Sequence, residues 1–272
     1  MIKPEPLILI GCGKMGGAML RGWLSKNSSK NDVIVVDPQI DSYRRFKDLE
    51  TVTFKTDVAQ IDLKVKPSAI VLAIKPQVID MVIEDARQFV NSNCLFLSIV
   101  AGKTIGYLEK HLGQEAIIRT MPNTPAAIGR GITVAYANKY TNIDQINLCT
   151  NLLNPLGKIT WANDEAVLDP ATALSGGGPA YVFLLAECLE KAGIAAGLPK
   201  DLAAELAIET VSGAGELLNQ TQDSPLQLRL NVTSPGGTTA EAIKVLTKDN
   251  ALERLLTKAI SAATQRSREL AN

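Results

Sequence analysis

The sequence is poor in the residues that most often carry chemistry. Its 272 residues include 1 histidine and 4 cysteines, and aromatics make up only 4%. A single histidine cannot build a multi-histidine metal centre, and no metal site is expected. It also restricts acid–base chemistry, because His111 is the one side chain whose ordinary pKa lies near neutrality. Cys12, Cys94, Cys149 and Cys188 are far apart and form no C-x-x-C pair. That argues against a disulfide framework or a thiolate metal site, and for a reducing compartment. An excess of either charge is missing too: 28 Lys+Arg balance 28 Asp+Glu. Such a chain has no electrostatic footprint for nucleic acid or an anionic membrane. No apolar run approaches the roughly 18 residues of a membrane helix. The apolar stretch 7–10 is short, lacks a basic leader and runs into a glycine turn, unlike a signal peptide. A cytoplasmic protein with no nucleic-acid and no membrane partner is expected.

What is present is a hydrophobic content of 46% with 21% charge, which excludes disorder. The length favours two domains. In the first 160 or so residues, short apolar runs at 7–10, 33–36, 69–74, 94–100, 116–120 and 132–137 have strand length. They are continuous rather than alternating, as in strands buried on both faces. Helical patterns at 15–25, 77–90 and 143–153 lie between them. This alternation predicts a mainly parallel sheet with helices on both faces. Near Asp164 the composition turns to alanine and leucine, and helical stretches follow at 180–196, 200–219, 240–247 and 251–270. Breakers at Gly197-Leu198-Pro199, Ser224-Pro225 and Ser234-Pro235-Gly236-Gly237 separate them. The expected domains are 1–163, an α/β doubly wound sheet, and 164–272, all helical. Small residues at close spacing, such as Ala192, Gly193 and Ala196, suit either tight intrachain packing or an interlocked helical dimer.

The first strand leads into Gly11-Cys12-Gly13-Lys14-Met15-Gly16 and a helix. In this G-x-G-x-x-G turn, Gly11 permits the tight bend and Gly13 lets a pyrophosphate approach the backbone. Gly16 allows helix and strand to pack closely. The helix N-terminus offers unpaired N–H groups to the phosphates. Asp37 ends the second strand, where a carboxylate can bind the 2′-hydroxyl of NAD and would repel a 2′-phosphate. Arg44 and Arg45 lie close enough in sequence to offer a phosphate partner, or simply form a solvated helix face. Two loops after strands, Ala73-Ile74-Lys75-Pro76 and Met121-Pro122-Asn123-Thr124-Pro125, stand where ligands of such sheets bind.

The helical half carries two more glycine turns. Ser175-Gly176-Gly177-Gly178-Pro179 costs much entropy to order, which suggests close approach of a ligand or another backbone. In Ser234-Pro235-Gly236-Gly237-Thr238-Thr239-Ala240-Glu241, Thr238 and Glu241 fit a capping box. Thr238 as the cap would leave the Thr239 hydroxyl unengaged. The amides of Gly236, Gly237 and Thr239 would then converge on an anion such as a carboxylate.

With these blocks in place, the chain resembles the Δ1-pyrroline-5-carboxylate reductases. The resemblance rests on G-C-G-K-M-G-G-A-M at 11–19, A-I-K-P-Q at 73–77 and M-P-N-T-P at 121–125. It continues with T-A-L-S-G-G-G-P-A-Y at 172–181 and N-V-T-S-P-G-G-T-T at 231–239. It implies a Rossmann-type doubly wound α/β sheet followed by an all-α helical dimerisation domain. It implies hydride transfer from NADPH, or NADH, to the C=N bond of pyrroline-5-carboxylate, giving L-proline. It implies a homodimer, or a higher homo-oligomer built on dimers, whose active sites use both chains. The expected cofactor residues are Gly11, Cys12, Gly13, Lys14, Met15, Gly16, Asp37, Ile74, Lys75, Pro76, Ala101 and Asn123. The substrate residues are Glu165, Asn231, Gly236, Gly237, Thr238 and Thr239, with Thr239 the catalytic group nearest the imine nitrogen. Two departures stand out. Gly177 replaces the serine usual in S-G-S-G-P-A, and Asp37 stands where many relatives carry serine. A β-hydroxy-acid dehydrogenase would share the cofactor fold but needs K-x-x-x-N in the helix starting at Pro179, which is absent. A non-catalytic nucleotide sensor would not need the second glycine turn.

Overall fold

The computed structural model describes residues 5–25, 32–39 and 51–271. They form two units, Met1–Gly176 with Ala263–Asn272, and Gly177–Ala262. In the first, the strands are β1 (Leu7–Ile10), β2 (Val33–Val36), β3 (Val52–Lys55), β4 (Ala69–Leu72), β5 (Leu95–Ser98), β6 (Ala116–Met121), β7 (Gly131–Ala137) and β8 (Gly157–Trp161). Among the described residues they make one sheet in the order β3-β2-β1-β4-β5-β6-β7-β8. All pairs are parallel except β6 with β7. The chain leaves β1 in both directions, to β2 and to β4, so a crevice opens at the carboxyl end of β1. Among the described residues, helices α1 (Lys14–Ser25), α2 (Ile79–Arg87), α3 (Ile105–Leu112) and α4 (Ile143–Leu153) lie in this unit with the sheet.

The period of two in each strand explains the two cores. Leu7, Leu9, Val33, Val35, Val71, Leu95 and Leu97 point to one face with Met19, Trp23 and Leu152. Ile8, Ile10, Ile70, Leu72 and Phe96 point to the other with Ile79, Ile83 and Leu108. Each fully buried Leu or Ile contributes about 1.5–3 kcal/mol, so both faces must be covered. The Trp23 indole donates to the Leu152 carbonyl at 2.7 Å, pinning α1 to α4.

All six expected strands, 7–10, 33–36, 69–74, 94–100, 116–120 and 132–137, lie within two residues of observed ones. β3 and β8 were not foreseen: Thr53, Lys55, Lys158 and Thr160 interrupt their apolar character. The expected boundary at 163/164 falls inside the first unit. There α5 (Leu168–Ala171) and the wide turn Thr172–Gly176 bury Leu168 and Ala173.

The second unit holds α6 (Gly178–Ala195), α7 (Lys200–Gln220), α8 (Pro225–Asn231) and α9 (Thr238–Thr247). Helix α10 (Ala251–Ala271) gives residues to both units. Helices α6 and α7 approach closely because Gly193 faces Ala203: a Cβ on Gly193 would lie 3.3 Å from that of Ala203. Instead of the break expected at Ser224-Pro225 there is helix α8, because Pro225 opens the helix behind the Ser224 cap. Many large apolar side chains of this unit, including Phe183, Leu184, Leu185, Ile208, Leu226 and Val245, are exposed. No helix among the described residues is long and apolar enough to cross a membrane.

Candidate active site

The glycine turn is built by collision geometry. Gly11 has φ +94°, and a Cβ there would lie 2.4 Å from the Ala73 carbonyl oxygen and 2.8 Å from the Ile74 side chain. A Cβ on Gly16 would lie 2.0 Å from the Gly11 carbonyl oxygen. Gly13 is different: a Cβ there meets nothing within 4 Å, and the residue is exposed at the head of α1. The first and third glycines therefore close the turn, and the second leaves its outer side open. That is the shape a pyrophosphate needs at a helix N-terminus, so these residues fit a dinucleotide.

Asp37 is brought to the same turn. Its carboxylate accepts the Cys12 amide at 2.7 Å and the Gln39 amide at 2.8 Å, while the Gly11 amide donates to the Val36 carbonyl at 2.8 Å. Asp37 thus has a structural task that the sequence reading did not foresee. Arg44 and Arg45 lie outside the described residues.

The loop after β4 meets the turn through Ala73 and Ile74, and the Ala73 amide donates to Ile10 at 2.8 Å. Lys75 is exposed just ahead of the short turn of helix Pro76–Val78. Ala101 follows β5, and Asn123 follows β6. The Asn123 side chain is already engaged: its amide donates to the Ser175 carbonyl at 3.1 Å, and its oxygen accepts the Ile132 amide at 2.9 Å. Gly176 is explained by packing, since a Cβ there would lie 2.8 Å from the end of the Met121 side chain.

Glu165 accepts hydrogen bonds from the Arg119 guanidinium at 2.7 Å and from the Ile105 amide at 2.8 Å. Arg119 is buried, and the sequence reading missed it. The available signal was a charge inside the otherwise apolar run Ala116-Ile117-Ile118.

In the second unit, the Ser234–Gly237 turn heads α9. The cap is Gly237, with φ −81° and ψ 167°, and it makes no side-chain bond. This corrects the expected capping box. Thr238 is the first helical residue and Thr239 the second, and the Glu241 carboxylate faces Lys244 at 3.7 Å instead. The Gly237 amide donates to the Ser234 carbonyl at 3.0 Å, so it does not join an anion-binding set. Gly236, at φ +71°, makes that closure possible. The amides of Thr238 and Thr239 belong to the first helical turn, where donors have no intrahelical partner. Both threonines are exposed. Asn231 closes α8, and its side-chain oxygen accepts from Gln227 at 2.7 Å.

A sheet of this order with a pyrophosphate-shaped turn at its first strand–helix junction defines a dinucleotide-binding protein. Comparison with known proteins agrees. Residues 7–102 match a family model described as "NADP oxidoreductase coenzyme F420-dependent", and residues 165–270 match one described as "Pyrroline-5-carboxylate reductase dimerisation". A pyrroline-5-carboxylate reductase of Synechocystis is 36% identical over 263 residues, covering 96% of this chain and 97% of its own. A solved pyrroline-5-carboxylate reductase from Coxiella burnetii has a TM-score of 0.89 at 36% identity, covering 98% of this chain and 99% of its own. The Plasmodium falciparum pyrroline carboxylate reductase, solved with NADP bound, has a TM-score of 0.81 at 30% identity, covering 100% of both chains. The chain belongs to the pyrroline-5-carboxylate reductase family.

Proposed function

We propose that this NAD(P)H-dependent oxidoreductase reduces Δ1-pyrroline-5-carboxylate to L-proline in the cytoplasm, the last step of proline biosynthesis. The observation that carries the reading is the pairing of two glycine turns on one chain. One is open at Gly13 on the head of α1, and the other lies at the head of α9 inside the 165–270 match. NADPH, when bound, would supply hydride to C5 of the substrate.

On this reading residues 1–163 serve the cofactor and residues 164–272 serve the substrate and the partner chain. The backbone of Gly11, Cys12, Gly13, Lys14, Met15 and Gly16 receives the pyrophosphate, flanked by Ile74, Lys75, Pro76, Ala101 and Asn123. NADP in the Plasmodium relative supports NADPH. Asp37 keeps NADH in play, but its two bonds to amides give it a reason to be there that is independent of the ribose.

The substrate carboxylate sits on the Gly236-Gly237-Thr238-Thr239 turn, where the Thr238 and Thr239 amides and the helix dipole favour an anion. Glu165 and Asn231 are the further substrate residues on this reading. The Thr239 hydroxyl donates a hydrogen bond to the unprotonated imine nitrogen and passes it a proton taken up from solvent, and that proton stays on the nitrogen as the N–H of the product amine. A cyclic imine is protonated near neutral pH and accepts hydride readily. Orientation therefore does more than a strong acid, and a site without histidine suffices. The exposed apolar side chains of α6, α7 and α8 suit burial in a homodimer.

Thr239→Ala tests the assignment. Turnover is expected to fall by more than about tenfold while NADPH affinity holds. A fully active variant would remove Thr239 from the mechanism.

A further inference from the structure

The segment after β5 is held by residues far from it in sequence. Gly102 is buried with φ +74°, and a Cβ there would lie 2.7 Å from the Leu270 carbonyl oxygen. One turn earlier in α10 stands Ser267, the buried residue of that helix, whose hydroxyl donates to the Asp169 carboxylate at 2.7 Å. On the next side of the same segment, the Ile105 amide donates to Glu165 at 2.8 Å.

The last turn of a helix ordinarily frays unless something ties it down. Ser267, buried on a face whose neighbours Ile260, Ala263, Thr264 and Ala271 are half-buried, and bonded to a carboxylate 98 residues away, is such a tie. What it ties lies at the carboxyl edge of the sheet, where ligands of such sheets bind. Gly102 makes the contact possible twice over. It adopts the left-handed backbone, and it has no Cβ to strike the helix main chain.

We propose that the last turns of α10 are a positioning strap for the dinucleotide. Ser267, anchored on Asp169, seats Leu270 against Gly102 and so fixes the Val100-Ala101-Gly102 loop before the cofactor arrives. The inference rests on the dinucleotide reading above and adds positioning residues to it. A loop ordered in advance spares the entropy that binding would otherwise spend on ordering it. The strap therefore acts on cofactor affinity and not on the hydride step.

The test is NADPH titration by fluorescence and steady-state kinetics on the full-length protein. Ser267→Ala is expected to raise the NADPH Kd roughly five- to twentyfold, as one charge-assisted hydrogen bond is lost. KM for NADPH rises with it, while kcat and KM for pyrroline-5-carboxylate stay within about twofold. Ser267→Thr keeps the hydroxyl and is expected to restore the wild-type Kd. Gly102→Ala is expected to reproduce the loss from the other side of the contact. Should Ser267→Ala not fold, Asp169→Asn replaces it, with a smaller rise in Kd expected. An unchanged Kd in Gly102→Ala and in whichever of these serine or aspartate variants folds, with only the melting temperature lowered, would overturn the strap. Wild-type protein that binds no NADPH would instead overturn the dinucleotide reading itself.

Discussion

The guanidinium of Arg119 reaches Glu165 at 2.7 Å, and the same carboxylate oxygen takes the Ile105 amide at 2.8 Å. One atom thus joins β6, the head of α3 and the segment after β8. The arginine side chain is 5% exposed and the glutamate 24%. Removing one member of a buried pair costs about 3–5 kcal/mol, and partial solvation of Glu165 moves the expectation to about 2–3 kcal/mol for Arg119→Met. Arg119→Lys recovers only part, because an ammonium lacks the planar fork. Urea unfolding midpoints check both, and an Arg119→Met protein as stable as wild type would contradict the pairing.

The first turn makes a prediction with two arms. Gly16→Ala places a methyl 2.0 Å from the Gly11 carbonyl oxygen, so α1 must shift, and both melting temperature and NADPH binding are expected to fall. Gly13→Ala meets nothing within 4 Å, so the protein is expected to keep its stability to within about 1 kcal/mol, the helix-propensity difference, while losing NADPH affinity. Thermal melts paired with nucleotide titrations separate the two. Equal behaviour of the variants would refute the division of labour.

Asp37 links cofactor choice to stability. Asp37→Ser removes a charge that repels a 2′-phosphate, and it removes the acceptor of the Cys12 amide at 2.7 Å. The ratio of kcat/KM for NADPH over NADH is expected to rise by about tenfold or more, with a stability loss of about 1–3 kcal/mol. A shifted ratio at unchanged stability would show that the amide bonds are dispensable.

Most of this architecture could be read from residues because the central strands are apolar on both faces. Ile8 and Leu9 both had to be buried, and each went to its own side of the sheet. β3 and β8 were hidden because edge strands such as Val52–Lys55 and Gly157–Trp161 tolerate polar residues on the solvated face. At the site, Gly11 and Gly16 were legible because backbone collision leaves no other residue possible. The capping box at Thr238 misled for a local reason. The Gly236-Gly237 backbone closes onto Ser234 by itself, so Gly237 becomes the cap and the threonines move one place into the helix. Arg119–Glu165 and Ser267–Asp169 were invisible, because contacts 46 and 98 residues apart leave no periodic trace.

The buried thiols give a pH dependence. Burial pushes Cys94 and Cys149 up to about 12, from an ordinary 9.0, with Glu115 and Glu5 adding to the effect at Cys94. A raised folded value means that the native state holds the proton more tightly. This contribution to stability is whole below pH 9.0 and is lost as pH climbs toward about 12. Alkaline unfolding is expected in that window, and Cys149→Ala should flatten the slope. Neither thiol should react with a thiol reagent in the native protein near about pH 8, and both should react in denaturant. Rapid native labelling of Cys94 or Cys149 would contradict their burial.

The decisive measurement is the absorbance of NADPH and of NADH incubated with purified protein, with and without pyrroline-5-carboxylate. Oxidation only when the imine is present, with L-proline formed one for one, is the predicted result. No turnover with either cofactor would contradict the account.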